Sequence, residues 1–439
     1  MTAEIAILNK TAVALAADSA VTISAGSNQE KIYDTEDKLF ELSQRDPIGV
    51  MINNDMNFME SPLPVLVKKY RSERRKFSKI EEAAIDFLSY LNEFGQSAPE
   101  PVRLRHLNRQ VKPLIDLIQQ RSQAALQRLF DADDATFGER PFAEVVAEQV
   151  SNEINFVRGA LERSNLATFM GEGEIHLSDV EKLEISKIVE SNLNAATGEQ
   201  RTEVCDMIIV NIGKAGWTSS TTGVVVAGFG SDELFPTLVS FELYGTVAGR
   251  LKYVQTNIVD IDRNGHRARD LPFAQKEMVE RFLYGLDEGI ESKIRQFCEN
   301  SVPDIANRII ESLEMSEDDR RALNEEALIA ETGFFDGLAQ QSFAAIRLQS
   351  ETEIEDMVEF MPKPEMARMA EALVNLTSIK RRVSRGMETV GGPIDVAVIS
   401  KAEGFVWVKR KHYFPPELNQ RYFDRMQWRT VQNRESEDG

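Results

Sequence analysis

Short apolar segments with the character of β-strands occur near both ends of this chain, and helical segments fill much of the space between them. The strand-like segments lie at residues 4–8, 11–17, 38–42, 47–53, 223–228, 237–243, 251–261, 394–400 and 405–409. Their near-continuous apolar character predicts strands that are covered on both faces. Neither the first nor the last group has enough strands to form a stable sheet alone, so we expect them to build one discontinuous core.

Helical periodicity dominates two long intervals. One apolar helical face comprises Leu114, Ile118, Ala125 and Leu129. Ser-x-x-Glu capping boxes that begin at Ser78 and Ser178 predict two helix starts. The predicted fold class is therefore α+β, with two helical blocks inserted into a strand core. The predicted segments are 1–60 (first part of the core), 61–215 (helical insertion), 216–271 (core strands), 272–364 (second helical block), 365–415 (last helix and strands of the core) and 416–439 (C-terminal extension).

Charge and cysteine content exclude several classes of function. The 439 residues carry a formal net charge of −20, and because this field repels a phosphate backbone we expect no nucleic-acid partner. The chain has 2 cysteines, which form no disulfide framework and indicate a reducing compartment. Neither an apolar run of about 18 residues nor a secretory start is present. We therefore expect a cytoplasmic protein that does not interact with a membrane.

Signatures of a bound metal or nucleotide are missing from the sequence. The 4 histidines are scattered without the spacing of metal ligands. No glycine-rich loop is followed by Lys-Ser/Thr, so the chain is not itself a P-loop ATPase. The segment Gly228-Phe229-Gly230 lacks the third glycine of a dinucleotide site and indicates close backbone packing instead. We expect neither a cofactor nor a metal.

The first forty residues contain the most specific chemical pattern. Thr2 is followed by the small Ala3, so removal of Met1 would leave a free N-terminal threonine. An α-amine with a pKa of about 7.7–8.0 is well suited to accept the proton of the adjacent hydroxyl. Lys38 near that hydroxyl would lower the pKa of the amine, and Asp18 would hold the lysine charged and oriented. With a backbone N–H to bind an oxyanion, this set predicts an amide-bond hydrolase.

The same segments resemble mature proteasome β-type subunits, which are N-terminal-nucleophile hydrolases. Residues 2–19 resemble the start of such a subunit, and Lys-Leu-Phe-Glu-Leu at 38–42 resembles the strand that carries the active-site lysine. Gly-Gly-Pro-Ile-Asp-Val at 391–396 resembles the family's Gly-Gly-x-x-Asp-Val strand, and the helical run at 365–384 precedes it as the last long helix of the family does. Residues 228–231 resemble the family's glycine-bearing segment at mid-chain.

The resemblance implies a four-layer αββα fold and peptide-bond hydrolysis through an acyl-enzyme. Thr2 takes the place of the nucleophile, with its α-amine as the base, and Asp18 and Lys38 take the acid and lysine roles. The backbone N–H near Met51 takes the oxyanion position. The resemblance also implies a homo-oligomer that acts on a polypeptide substrate, and it leaves open whether a separate ATPase or regulator supplies that substrate.

Several positions depart from the family pattern. Met51 stands where the family usually has a glycine, and Phe229 stands where it has the serine that supports the amine. The family's Asp-x-x-Ser before the double glycine is replaced by Met-Glu-Thr-Val at 387–390, where Glu388 is a candidate substitute. The helical blocks have no counterpart in ordinary subunits. These departures put turnover in question more than the fold.

Two alternatives to a threonine peptidase stay open. The first is a non-peptidase amide hydrolase that uses the same fold on a small substrate. The second is a catalytically inactive oligomeric scaffold that binds a partner through its helical insertions, which the altered residues around Thr2 suggest.

Overall fold

The computed structural model describes residues 2–24, 30–73, 75–131, 141–262, 265–384 and 390–425. The strands are β1 (Ala3–Asn9), β2 (Ala12–Ala17), β3 (Val21–Ser24), β4 (Glu30–Tyr33), β5 (Leu39–Glu41), β6 (Ile48–Asn54), β7 (Asn57–Phe58), β8 (Ser61–Pro62), β9 (Thr168–Phe169), β10 (Thr222–Gly228), β11 (Thr237–Val247), β12 (Arg250–Asp260), β13 (Ala268–Ala274), β14 (Asp395–Ser400) and β15 (Gly404–Lys409).

The helices are α1 (Leu63–Arg71), α2 (Ile80–Gln96), α3 (Glu100–Asp131), α4 (Phe142–Arg163), α5 (Asp179–Asn192), α6 (Gly198–Ile212), α7 (Glu277–Tyr284), α8 (Glu288–Ser312), α9 (Glu317–Gly337), α10 (Ala344–Val358) and α11 (Lys363–Val383). A π-helical segment, Leu338–Phe343, joins α9 to α10, and a 3-10 turn lies at Pro416–Leu418. The predicted mixed class, α+β, is confirmed.

Two antiparallel sheets form the centre of the molecule. The first sheet has five strands in the order β13-β1-β2-β14-β15, and the second has six in the order β5-β6-β10-β11-β12-β9. In the first sheet β2 pairs with both β1 and β14. Strands from the two ends of the chain therefore share one sheet.

The two sheets pack face to face, because alternate residues of their strands are apolar and point at the opposite sheet. Ala6, Leu8 and Leu15 from the first sheet lie in one buried cluster with Met51 and Val225 from the second. These side chains are at most 1% exposed. The inter-sheet core fixes the distance between β1 and the strands of the second sheet.

Helices cover the outer face of each sheet. On the first sheet, Ile5 and Ile7 pack with Leu373 and Val374 of α11 in a second buried cluster. On the second sheet, apolar residues of β6, β10 and β11 pack with α1 and α2 in a third. The central strands β1, β2, β6 and β10 are therefore buried on both faces, which is why they are apolar at most positions.

The two helical blocks differ in how they are buried. Helices α3, α4, α5 and α6 share a core of their own, which includes Leu114 and Ile118. By contrast, Ile310 is the buried residue of α8, and α9 has none. The first block is a packed helical unit on the second sheet, and the second block extends along the surface.

Two details of the sequence prediction need correction. The boundary placed at 271/272 falls inside β13, which pairs with β1 along its whole length. This strand escaped prediction because it contains charged residues and Pro272, which is tolerated since β13 is an edge strand. The capping box predicted at Ser78 is also wrong, because α2 begins after Lys79 without a side-chain cap. The box at Ser178 is confirmed, with Glu181 as its partner.

Candidate active site

The hairpin of β1 and β2 brings the start of the chain against Asp18. Glu4 pairs with Ala17, and the Asp18 N–H donates to the carbonyl of Ala3 at 3.1 Å. Because side chains alternate along a strand, Glu4 lies on the same face of β1 as Ala6 and Leu8, which point at the second sheet. A carboxyl group therefore enters the inter-sheet region at this end of β1.

Lys38 comes from the opposite sheet and meets two carboxyl groups. It stands directly before β5, where its carbonyl accepts from the N–H of Ile52 at 2.9 Å. Its Nζ lies 2.5 Å from Asp18 Oδ1 and 3.6 Å from Glu4 Oε1. All three side chains are 0% exposed. The ion pair joins the two sheets in a region without solvent, where charges interact more strongly than at a surface.

Asp18 is fixed by several donors. Besides Lys38, its Oδ1 accepts from the N–H of Ala3 at 3.1 Å, and its Oδ2 accepts from the N–H of Gly391 at 2.9 Å. The N–H of Ala20 is a longer donor to Oδ2, at 3.4 Å. These donors and the contact with Lys38 fix the position of the Asp18 carboxyl group.

The segment before β14 closes the site from the other end of the chain. Gly391 accepts from the N–H of Ser19 at 3.1 Å, and the Ser19 hydroxyl donates to the carbonyl of Pro393 at 2.5 Å. Gly392 has a φ of +76°, and a Cβ there would lie 2.5 Å from the carbonyl oxygen of Asp34. The double glycine thus lets the chain pass close to the loop that leads to Lys38.

Thr2 is 1% exposed in the chain that carries Met1, and its Oγ1 forms no hydrogen bond within the described residues. Its carbonyl accepts from the N–H of Gln275 at 3.3 Å, which ties it to the end of β13. The hydroxyl nonetheless lies close enough to the Glu4 carboxyl to lower the pKa of that group. The structure therefore brings Asp18 and Lys38 into contact and places the Thr2 hydroxyl beside Glu4, which itself approaches Lys38.

Glu4 is the residue that the sequence analysis missed. Burial raises the pKa of its carboxyl to about 8, Lys38 opposes this increase, and the charge of Asp18 adds to it. Both carboxyl oxygens are buried and form no hydrogen bond within the described residues. The sequence feature that points to Glu4 is a single acidic residue inside an apolar strand. It lies two positions after Thr2 and hence on the same face of that strand.

Met51 lies in the middle of β6, between two neighbouring strands. It pairs with Leu39 on one side and Val225 on the other, and its side chain belongs to the inter-sheet core. Because Ile52 directs its N–H at Lys38, the preceding N–H of Met51 faces β10. This placement gives no support to the oxyanion role that the resemblance implied.

The other departures from the family pattern lie around the site in different ways. Phe229 is 1% exposed in the inter-sheet core, and its N–H donates to the carbonyl of Pro47 at 3.0 Å. A Cβ on Gly228 would lie 2.0 Å from that same carbonyl oxygen, which agrees with the predicted close packing. Glu388, with Met387 and Thr389, lies outside the described residues, as do Met1 and the predicted extension beyond residue 425.

A separate shallow cleft is lined by His106, Arg109 and Asp55, among other residues. The cleft is not lined by Thr2, Glu4, Asp18 or Lys38. Burial and the nearby Arg109 lower the pKa of His106, and its Nε2 has no hydrogen-bond partner in the described structure. Across the described ranges, no group of three or more histidine, cysteine or acidic side chains is arranged to hold a metal ion.

Comparisons with known proteins add little. No protein-family model matches the chain, and no curated protein matches its sequence. A solved structure of an Anbu (Gly-1) mutant from Hyphomicrobium sp. strain MC1 aligns over 98% of this chain and 97% of that chain, at 9% identity and a TM-score of 0.25. At that TM-score the likeness carries no weight for fold or function. Among the described helices, none has the length and apolar character needed to cross a membrane.

Proposed function

We propose that the chain is an N-terminal-nucleophile hydrolase that resembles proteasome β-type subunits and cleaves peptide bonds with Thr2 after removal of Met1. The observation that carries this proposal is the buried pair of Lys38 and Asp18, held against the backbone of Ala3. Burying an ion pair away from solvent is costly, because the desolvation penalty can exceed the Coulombic gain. The pair of Lys38 and Asp18 lies against Ala3, one residue from Thr2, where its charges can act on the Thr2 hydroxyl.

In the proposed reaction, the Thr2 hydroxyl attacks the carbonyl carbon of the scissile bond and forms an ester, and water then hydrolyses that ester. The positive charge of Lys38 favours the developing negative charge near the nucleophile, and Asp18 keeps the lysine in place. The resemblance implies that the α-amine released by removal of Met1 is the base. The burial of the central strands of both sheets on both faces supports the four-layer αββα arrangement of this proposal.

The polypeptide substrate and the homo-oligomer belong to the same proposal and rest on the resemblance in sequence. A separate ATPase or regulator that supplies the substrate would fit it as well. These parts are tested by native mass and by cleavage of an unfolded polypeptide, compared with cleavage of small amides. Cleavage of small amides alone would select the non-peptidase alternative.

The central test is covalent labelling of Thr2. Purified protein, shown by intact mass to lack Met1, is treated with a β-lactone, and the modified peptide is mapped. We expect one label on Thr2, which is lost in Thr2→Ala and greatly slowed in Lys38→Ala. A folded wild-type protein that lacks Met1 and is not labelled at Thr2 would refute the proposal.

One observation favours the scaffold alternative. Thr2 is 1% exposed, so a substrate does not reach Oγ1 in the described arrangement. The peptidase proposal therefore requires that removal of Met1 opens a path to the hydroxyl. If Thr2→Ala retained full biological activity, the scaffold alternative would be selected.

A further inference from the structure

We propose that Glu4 is the proton carrier of this site: its carboxylate accepts the Thr2 hydroxyl proton, and the resulting acid returns that proton to the leaving nitrogen. This inference deepens the proposed function and rests on it. It assigns to a side chain of β1 the role that the resemblance gives to the α-amine.

The first argument is the pairing of unsatisfied groups. Within the described residues, Thr2 Oγ1 and both carboxyl oxygens of Glu4 are buried polar atoms without a hydrogen bond. Native structures leave few such atoms, and those that remain often belong to functional sites. Thr2 and Glu4 lie two residues apart on one strand face, and the Thr2 hydroxyl is close enough to lower the pKa of the Glu4 carboxyl, so the two groups are within reach of each other. Catalytic hydrogen bonds are often long before substrate binds and shorten in the complex.

The second argument is the arrangement of charge. Lys38 lies 2.5 Å from Asp18 but 3.6 Å from Glu4, so its charge is balanced mainly by Asp18. Asp18 also accepts backbone hydrogen bonds, whereas Glu4 accepts none within the described residues. The oxygens of Asp18 are thus occupied by Lys38 and by backbone donors, and Glu4 is the carboxyl group left to exchange a proton with Thr2. Different environments for two neighbouring carboxyl groups commonly separate their roles.

The groups that face Glu4 can be named from each side. Asp18 approaches from the end of β2, and Lys38 approaches from the start of β5. On the neighbouring edge strand β13, the uncharged Phe273 lies opposite Glu4. The raised pKa of about 8, caused mainly by burial, lets the carboxyl change its protonation near neutral pH.

The steps balance in protons and bonds. As the C–O bond between Thr2 and the carbonyl carbon forms, the hydroxyl proton passes to the Glu4 carboxylate. As the C–N bond breaks, the carboxylic acid donates that proton to the departing nitrogen, which leaves as an amine. In the second half, a water proton passes to Glu4 and then to Thr2 Oγ1 as the ester is cleaved. No oxidant, reductant or further reactant takes part.

The deciding experiment measures the rate of β-lactone labelling of Thr2 as a function of pH. Glu4→Gln keeps the shape of the side chain but cannot accept a proton. We expect labelling at least ~100-fold slower than in wild type, and we expect the residual rate to lose its rise between about pH 7 and 9. The matched control is Glu359→Gln, which replaces a buried glutamate that follows α10 and pairs with Lys10, just beyond the other end of β1, and this variant should label at the wild-type rate.

The outcomes separate the two proposals. If wild type is labelled at Thr2 and Glu4→Gln is labelled at the same rate, or slowly but with the same rise with pH, the α-amine is the acceptor and Glu4 is not. If wild type lacking Met1 is not labelled at all, the proposed function itself fails.

If Glu4→Gln does not fold, the variant Glu4→Asp decides, because it withdraws the carboxyl group from Thr2 Oγ1 by one methylene. Labelling at least ~10-fold slower with the pH profile kept supports the proposal, and labelling at the wild-type rate overturns it.

Discussion

The first sheet has a buried ionic group at each end, and the two are built differently. At the site end (Thr2, Glu4, Asp18 and Gly392), Lys38 serves two carboxyl groups whose side chains are, like its own, 0% exposed. Asp18 is fully hydrogen-bonded, and Glu4 has no hydrogen bond within the described residues. This end of the sheet has more acid than base and excludes water.

At the far end (Asn9, Lys10, Thr11 and Gly404), the buried carboxyl group is paired through both oxygens. Glu359 is held by Lys10 through Oε1 at 2.6 Å and by Arg267 through Oε2 at 3.0 Å, so both oxygens have partners. The two cations are 28% and 38% exposed. The comparison shows that the same residue types hold the fold together where every oxygen is paired and water is near. They are prepared for chemistry where one fully buried carboxyl group accepts no hydrogen bond within the described residues.

The sharpest test of this difference removes the lysine at each end. Lys38→Ala leaves two acidic groups buried without a cation, and breaking such a pair costs about 3–5 kcal/mol in the free energy of unfolding. Lys10→Ala removes a partly exposed partner whose carboxylate keeps Arg267, so its cost is about 1 kcal/mol or less. Denaturant unfolding of both variants at one pH measures the two losses. Equal losses would mean that the site end is no more desolvated than the far end.

The second prediction concerns the pH dependence of stability. The pKa of Glu4 is raised from 4.5 to about 8 in the folded chain, mainly by burial. A carboxyl with a raised pKa stabilises the folded state in its protonated form, so its contribution is complete below pH 4.5 and is lost as pH rises through about 8. Wild type should therefore lose stability relative to Glu4→Gln over this range, by on the order of 4 kcal/mol.

Thermal or denaturant unfolding of wild type and Glu4→Gln at several pH values gives the difference curve. A curve that is flat from pH 4.5 to 8 would show that Glu4 keeps the ordinary pKa of a glutamate and is ionised throughout. The site end would then contain two anions for one cation, and its contrast with the far end would vanish.

How much of this arrangement follows from the sequence depends on the element. At the two ends of the chain, the strands of the two main sheets agree with the prediction within one or two residues, because buried strands are continuous apolar runs. The short strands β3, β4, β7 and β8 lie outside those sheets and are not predicted. The strand β13 was missed because an edge strand tolerates charges and Pro272. Asp18 and Lys38 follow from the chemistry of the first forty residues, and the family resemblance assigns them the acid and lysine roles.

Glu4 shows the limit of local sequence patterns. A single acid in an apolar strand does not reveal which residues of the opposite sheet it meets. The contact of Gly391 with Asp18 joins positions 373 residues apart, so it exists only once the sheet is formed. Long-range pairing of this kind decides which carboxyl receives hydrogen bonds and which does not.

The third prediction compares two glycines with the same backbone conformation. Gly392 at the site end has a φ of +76° and Gly404 at the far end has +77°. Alanine at Gly404 meets open space, so its cost is the left-handed backbone alone, about 1–2 kcal/mol. Alanine at Gly392 adds a Cβ 2.5 Å from the Asp34 carbonyl oxygen, so the backbone must shift and the cost should exceed about 2 kcal/mol. Similar losses in denaturant unfolding would mean that the Asp34 loop moves freely away from the site.

The smallest expected effect comes from the hydroxyl groups beside each ionic group. Ser19 is fully buried and donates to the Pro393 carbonyl, so Ser19→Ala should cost about 1 kcal/mol. Thr11 is exposed and donates to Asn9 Oδ1, which keeps the N–H donors of Thr11 and Ala12, so Thr11→Ala should cost no more than about 0.5 kcal/mol. Because Ser19 anchors the segment that holds Asp18, Ser19→Ala should also slow labelling of Thr2, while Thr11→Ala should not. If the two variants label Thr2 equally fast, the C-terminal segment supports the fold of this end without tuning its chemistry.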